Sequence, residues 1–320
     1  MNTPKSLNRR QLMQASAATV TVGAAIATSQ NAMSADSTTF SEKSVRYCLN
    51  MSTIHGETID VQEQIRIAAK AGYTGIELWL RDIQRFLDAG GKLEALKKQI
   101  QDAGLTVESA IAFGQWLVDD DAVREKGIAD CGRDMEIIRE LGGRFIAAPP
   151  TGMTKAPLMD LDRAGERYRA LLEVGKAREC VPQIEVWGHS TNCFSLKQVL
   201  YICAAAAHPD ACILPDVYHL YKGGSDFNDV AMLAGKRVHA FHMNDYPVTP
   251  PRSEIKDEHR VYPGDGVAPL SKILRTMLEN GFAGALSLEL FNREYWAQDP
   301  NEVAKTGLAK MKAAVASAIA

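Results

Sequence analysis

Four short apolar runs in this chain each end in residues that do not belong in a core. Cys212 to His219 reads CILPDVYH and sets Asp216 and His219 where the run stops. Ile184 to His189 (IEVWGH), Val238 to Asp245 (VHAFHMND) and Ala285 to Asn292 (ALSLELFN) do the same with Glu185, His242 and Glu289. A strand buried on both faces reads as a continuous apolar run, and a charge there is costly unless it is paired or bound to a metal. Four such residues at the ends of successive strand-like runs point to a single cation shared by Glu185, Asp216, His242 and Glu289.

These runs are half of a longer series. Strand-like segments at 45–52, 75–80, 105–113, 144–148, 183–187, 211–217, 237–243 and 285–290 alternate with helical ones. The helical segments are 61–71, 82–103 (interrupted at Gly90-Gly91), 122–141, 161–180, 196–207, 227–233, 269–280 and 301–318. Such alternation implies a parallel α/β sheet, and eight units are what a (β/α)8 TIM barrel needs. An open doubly wound sheet is the rival, but Asn50-Met51-Ser52-Thr53 after the first strand lacks its phosphate-binding glycine cluster. In a barrel the chemistry sits at the C-terminal ends of the strands, where the four residues fall. The loop from Tyr246 to Val267, stiffened by Pro247, Pro250, Pro251 and Pro263, has the length of a functional cover.

Composition is that of an ordinary globular protein, 46% hydrophobic and 23% charged with a net charge of -3. The first 34 residues read as an export signal: Lys5, Arg9 and Arg10 without an acid, an apolar stretch from Ala15 to Thr28 too short to span a bilayer, and small residues near Ser34. Asn8-Arg9-Arg10-Gln11-Leu12-Met13 resembles the twin-arginine motif. The expected organisation is therefore a signal at 1–34, a linker at 35–43 and one barrel at 44–320, in an exported, periplasmic protein with no membrane span once cleaved. Loss of the three basic residues would take the net charge from -3 to -6, which gives no pull toward nucleic acid or anionic lipid. The six cysteines show no CxxC pair; the twin-arginine route carries already folded proteins, which favours buried free thiols. Homo-oligomerisation is left open.

Three carboxylates and one imidazole make a fairly hard donor set, suited to one divalent ion, with Mn²⁺, Mg²⁺ or Co²⁺ favoured and Zn²⁺ admissible. His219, three residues beyond Asp216, is expected in the turn after its strand, within reach of a substrate hydroxyl or holding a structural hydrogen bond. Trp187 and His189 share the parity of Glu185 and so its side of the strand, where a tryptophan face can stack on a sugar or simply fill space. Glu77, Trp79 and His55 read as packing or rim. Arg260 either clamps a substrate oxyanion or pairs with Asp257 or Asp265, and Pro263-Gly264-Asp265-Gly266 is first of all a turn.

Taken together, AGYTGIELW at Ala71 to Trp79, the glutamate of IEVWGH, the Asp-x-x-His of PDVYH, FHMND, RVYPGDG at Arg260 to Gly266 and LSLELF resemble the xylose-isomerase-like barrel superfamily of sugar phosphate isomerases and epimerases. The resemblance covers nearly all of the chain after the signal. It implies that Glu185, Asp216, His242 and Glu289 ligate the metal, that His219 contacts substrate, and that Glu185 and Glu289 double as an acid/base pair. The activity it implies is proton abstraction beside a carbonyl through a metal-stabilised enediolate, on a carbohydrate. The absence of a basic cluster or phosphate loop argues against a phosphorylated substrate. A keto-sugar dehydratase or lyase on the same site is the near alternative, and a metal- or sugar-binding protein without turnover is a more distant one. Apurinic endonucleases share the superfamily and Asp257-x-His259 resembles one of their pairs, but the histidines their extra metals need are replaced by Glu77-Leu78-Trp79 and Ala112-Phe113-Gly114.

Overall fold

The computed structural model describes residues 45–54 and 59–320. The signal at 1–34, the linker at 35–43 and His55 lie outside the described residues. Within them run β1 (Arg46–Asn50), α1 (Val61–Ala71), β2 (Gly75–Trp79), α2 (Leu80–Asp88), α3 (Leu93–Asp102), β3 (Thr106–Ile111), α4 (Asp121–Glu140) and β4 (Phe145–Ala148). There follow α5 (Leu161–Ala177), β5 (Val181–Glu185), α6 (Leu196–Ala206), β6 (Ile213–Leu214), α7 (Val217–Lys222), β7 (Ala240–Met243), α8 (Leu270–Glu279), β8 (Ala285–Leu288), α9 (Arg293–Trp296) and α10 (Pro300–Ile319).

Five strands form a parallel ladder in the order β3-β2-β1-β8-β7, and three form a second in the order β4-β5-β6. The two meet in a TIM barrel. Between β6 and β7 the join is a parallel bridge, Asp216 opposite His242, with the His242 N–H donating to the Pro215 carbonyl (2.9 Å). At the other seam β3 packs beside β4, and the Gln183 amide of β5 reaches Ser109 of β3 (3.2 Å). The join at Asp216 and His242 is thus made by two of the residues that the sequence singles out.

Local sequence sets the helix ends. Asp60, Asp120, Asp160 and Asp299 each accept a backbone N–H of the first turn of α1, α4, α5 and α10, the usual satisfaction of an orphan donor. Gly72 closes α1 at φ 92°, a left-handed conformation that favours glycine. Gly165 lets α5 lie close on α6: a Cβ there would stand 2.5 Å from that of Ala205.

Several elements differ from the sequence reading. The long helical segment splits cleanly into α2 and α3 around Gly90-Gly91, as expected. The fifth strand begins at Val181, two residues earlier than expected, and so contains Pro182. Donors in β5 alternate sides, Val181 N–H to Arg144 of the β4 side and Ile184 N–H to Cys212 of the β6 side. The donor that proline lacks would face a stretch before β6 begins, so no ladder bond is lost. The segment 227–232 is the expected short helix, of 3-10 form. Helix α7 corrects the expectation of a turn after Asp216: His219 lies in its first turn.

Candidate metal centre

The centre is built from strand ends. Glu185 ends β5, His242 lies within β7, Glu289 follows β8 and Asp216 follows β6, and all four are buried. Ligand atoms of Glu185, His242 and Glu289 lie within 4.8 Å of one another. Around His242 Nδ1 stand Glu289 Oε2 at 3.1 Å, Glu185 Oε1 at 3.7 Å and Asp216 Oδ2 at 3.7 Å. Nδ1 is fully buried and has no hydrogen-bond partner, so its approach to Glu289 is electrostatic.

The other ring nitrogen explains the orientation. His242 Nε2 is 3.0 Å from Glu77 Oε2, and a carboxylate oxygen accepts, so Nε2 carries a hydrogen and Nδ1 is the ring nitrogen turned to the centre. Glu77, wholly buried in β2, also accepts from Asn50 Nδ2 (2.9 Å) and Ser287 Oγ (2.6 Å). Asn50 in turn donates to Glu289 Oε1 (3.1 Å) and accepts from Trp79 Nε1 (3.0 Å). Glu77 is therefore neither filler nor rim, as its sequence position had suggested; it is the partner that fixes the histidine. The signal was present in GIELW, an acid inside an apolar run like Glu185, Asp216 and Glu289.

Asp216 serves twice. Its Oδ1 accepts the His219 N–H (2.7 Å) and caps α7, while Oδ2 faces the centre and accepts from Asn244 Nδ2 (2.9 Å). Arg260 is wholly buried beside it. Its Nη1 donates to Asp216 Oδ2 (2.9 Å) and Glu289 Oε2 (2.8 Å), and its Nη2 to Asp257 Oδ1 (2.5 Å), with His219 Nε2 3.1 Å away. Of the two partners expected for Arg260, Asp257 is found; Asp265 pairs with Lys310 instead. His259 turns back on its own 3-10 turn, its Nδ1 accepting the Lys256 N–H (3.0 Å).

The loop that carries Arg260 hangs on Asp245. This buried carboxylate accepts the N–H groups of Tyr246 (2.8 Å), Ala268 (2.9 Å), Gly264 (3.0 Å) and Gly266 (3.2 Å). Backbone bonds between Asp245 and Val261, one in each direction at 3.0 Å, set the residue next to Arg260. Gly266 is more than a turn residue: a Cβ there would lie 2.3 Å from Asp245 Oδ1.

A cavity of about 230 Å³ opens over the centre. Glu185, Trp187 and His189 all line it, although Trp187 and His189 lie beyond the end of β5, together with His219, Arg260 and Glu289. Rings touch in succession: Trp187 to His189 at 5.1 Å and His189 to His219 at 5.3 Å.

Charge and burial oppose one another throughout. Burial pushes the Glu185 carboxyl well above the usual range, with Glu289 and Asp216 adding to the push and His242 opposing it. Asp216 is pushed up to about 6 by burial against the pull of Arg260. Burial pushes Glu289 up as well, but His242 and Arg260 override it and hold the carboxyl well below the usual range. Burial lowers the proton affinity of His242, yet Glu289 and Glu77 outweigh it and raise it well above normal. His219 is driven the other way, kept neutral by burial and by Arg260. Oxygens of Glu185 and Glu289 and a nitrogen of His242 close together in a buried site make a donor set suited to a divalent cation, with Asp216 Oδ2 beside them and also held by Arg260 and Asn244. The residues fit such an ion.

A (β/α)8 barrel with a carboxylate and imidazole centre at its C-terminal mouth is the class that fold and site define. The profile of the xylose isomerase-like TIM barrel family matches residues 65–314, and the chain belongs to that family. It is 27% identical over 181 residues to the inosose isomerase of Bacillus licheniformis, covering 54% of this chain and 63% of that protein, and 25% identical over 271 residues to that of Halalkalibacterium halodurans, covering 82% and 93%. To the 3-dehydroshikimate dehydratase of Pseudomonas putida it is 24% identical over 258 residues, 77% of this chain and 38% of that protein. Among solved structures, IolI with a bound zinc atom superposes at TM-score 0.79 with 21% identity, over 85% of this chain and 98% of that one. These relatives are enzymes. No helix among the described residues is long and apolar enough to cross a membrane, and all six cysteines are free thiols, five of them buried.

Proposed function

We propose that the chain is a divalent-metal-dependent isomerase or epimerase of a sugar or sugar derivative, acting by proton abstraction next to a carbonyl. The observation that carries this reading is the convergence of Glu185, Asp216 and Glu289 on the unpartnered Nδ1 of His242. Those four residues would hold the ion. When bound, it supplies positive charge at the substrate's carbonyl and hydroxyl oxygens, where an enediolate develops.

The chain's own residues do the rest. Glu289 takes the proton from the carbon beside the carbonyl and Glu185 returns one, a pair of carboxylates on one site serving as base and acid. Return to the same carbon from the opposite face inverts it, and return to its neighbour, with the hydroxyl proton passing to the former carbonyl oxygen, moves the carbonyl. His219, kept neutral, accepts the Gly188 N–H at Nδ1 (3.3 Å), which leaves Nε2, 3.1 Å from Arg260 Nη2, as the nitrogen that can donate to a substrate oxygen. Trp187 and His189 form the adjoining wall.

Likeness to the dehydratase supports a second reading, in which the same proton abstraction expels a leaving group from the next carbon. Incubation with ketoses and keto-glycosides in D2O, followed by NMR, separates the two. Deuterium at the carbon beside the carbonyl without loss of water supports the isomerase, and an unsaturated ketone supports the lyase. No exchange into any compound refutes both. We propose from the twin-arginine-like Asn8 to Met13 that the protein is exported, and cell fractionation before and after Arg9→Lys with Arg10→Lys tests it.

A further inference from the structure

The cavity has two unlike sides. The carboxylates, imidazoles and Arg260 occupy one; Trp79, Ile111, Phe113, Trp187 and Phe291 occupy the other. The rings form a continuous wall, with centroids at 6.1 Å from Phe291 to Trp79, 5.5 Å from Trp79 to Phe113 and 6.3 Å from Phe113 to Trp187. Apart from the indole N–H groups this wall has no polar side-chain atom, and that of Trp79 is engaged by Asn50. Phe113 is 44% exposed, high for a large apolar side chain, and stands at the mouth.

A free sugar carries hydroxyls all round its ring. Those turned to this wall would lose water and gain no partner. One pyranose face can stack on one indole, but four rings in succession extend past a single sugar ring. A phosphate is served no better, since the lining sets Glu185, Asp257 and Glu289 against one guanidinium whose terminal nitrogens already serve Asp216, Glu289 and Asp257. Apolar surface in contact with this wall gains both burial and ring stacking.

We infer that the substrate is an α-hydroxycarbonyl compound, sugar-like at the end that meets the metal centre, with an apolar ring-bearing substituent at the other, as in an aryl keto-glycoside. The inference rests on the proposed function for which end faces the centre. Free and phosphorylated sugars are then poor substrates.

The test uses the full protein loaded with Mn²⁺, with methyl and phenyl 3-keto-β-glucosides as probes. Two readouts are taken, deuterium exchange in D2O and quenching of tryptophan fluorescence. Exchange should favour the phenyl compound by roughly 10- to 100-fold in kcat/KM, with binding in the same order, and Phe113→Ala or Trp187→Ala should shrink the ratio. Equal kcat/KM for the two probes, or a preference untouched in both variants, overturns the inference and leaves proton transfer standing. Should neither probe nor any free ketose exchange, it is the proton-transfer reading that fails. Fluorescence still decides the inference in that case: tighter phenyl binding that is lost in Phe113→Ala upholds it, and equal binding overturns it.

Discussion

Glu77→Gln is the perturbation that most sharply separates shape from charge at this centre. The Glu77 carboxylate accepts from His242 Nε2 at 3.0 Å, Asn50 Nδ2 at 2.9 Å and Ser287 Oγ at 2.6 Å, all in a fully buried setting. Glutamine keeps the volume and one oxygen but loses the charge, so the bond to Nε2–H falls from charge-assisted strength, about 1.5–3 kcal/mol, to about 1 kcal/mol. Residues that orient a ligating histidine typically contribute 10- to 100-fold to metal affinity; at about 1.4 kcal/mol per tenfold the two estimates overlap. The expected result is Mn²⁺ affinity weakened by roughly 10- to 100-fold, measured by competition with a chromophoric chelator, while circular dichroism is unchanged and the melting temperature of the metal-free protein falls by only about 2–6 °C. Affinity within twofold of the wild type would show that Glu77 does not set the histidine's tautomer, and the geometric reasoning would be wrong.

Three further outcomes are expected. On α4, burial and then Asp130 push the Asp134 carboxyl up to about 6 from 3.8. Its contribution to stability is therefore complete below about pH 4 and lost as pH rises through 6. Discounted for its partial exposure, Asp134→Asn should stabilise the protein by about 1 kcal/mol at pH 8 and by nothing measurable at pH 4, read from urea melts; a gain at pH 4 equal to that at pH 8 would refute the assignment. Gly266→Ala drives a Cβ into Asp245 Oδ1 and should cost about 1–3 kcal/mol, with kcat/KM falling because the loop that carries Arg260 shifts; an unchanged melting temperature would contradict it. The five buried cysteines should resist a thiol reagent in the native protein and all six should react once it is unfolded, since burial pushes thiols such as Cys131 and Cys180 up to about 12; fewer than six thiols after unfolding would reveal a disulfide.

The barrel was legible because its strands are apolar runs with little else in them, and the alternation with capped helices needs no tertiary information. The four buried residues of the candidate centre were legible for the complementary reason, as polar groups where a core residue is expected. What escaped was cooperative. Glu77 bears the same mark as Glu185, but nothing in GIELW says that its partner is the far nitrogen of His242, a residue 165 positions away. Helix α7 escaped because Asp216, its cap, was read only as the end of a strand, although it is both. Arg260 could be placed near an acid but not beside Asp216 and Glu289, because that position depends on how Asp245 gathers the N–H groups of its loop.

The central claim is that Glu185, Asp216, His242 and Glu289 together grip one divalent ion. Equilibrium dialysis against Mn²⁺ with elemental analysis measures this directly, on the wild type and on His242→Ala. One ion per wild-type chain and essentially none in the variant is the predicted result; no ion in the wild type, three ions, or full occupancy without the imidazole would contradict it.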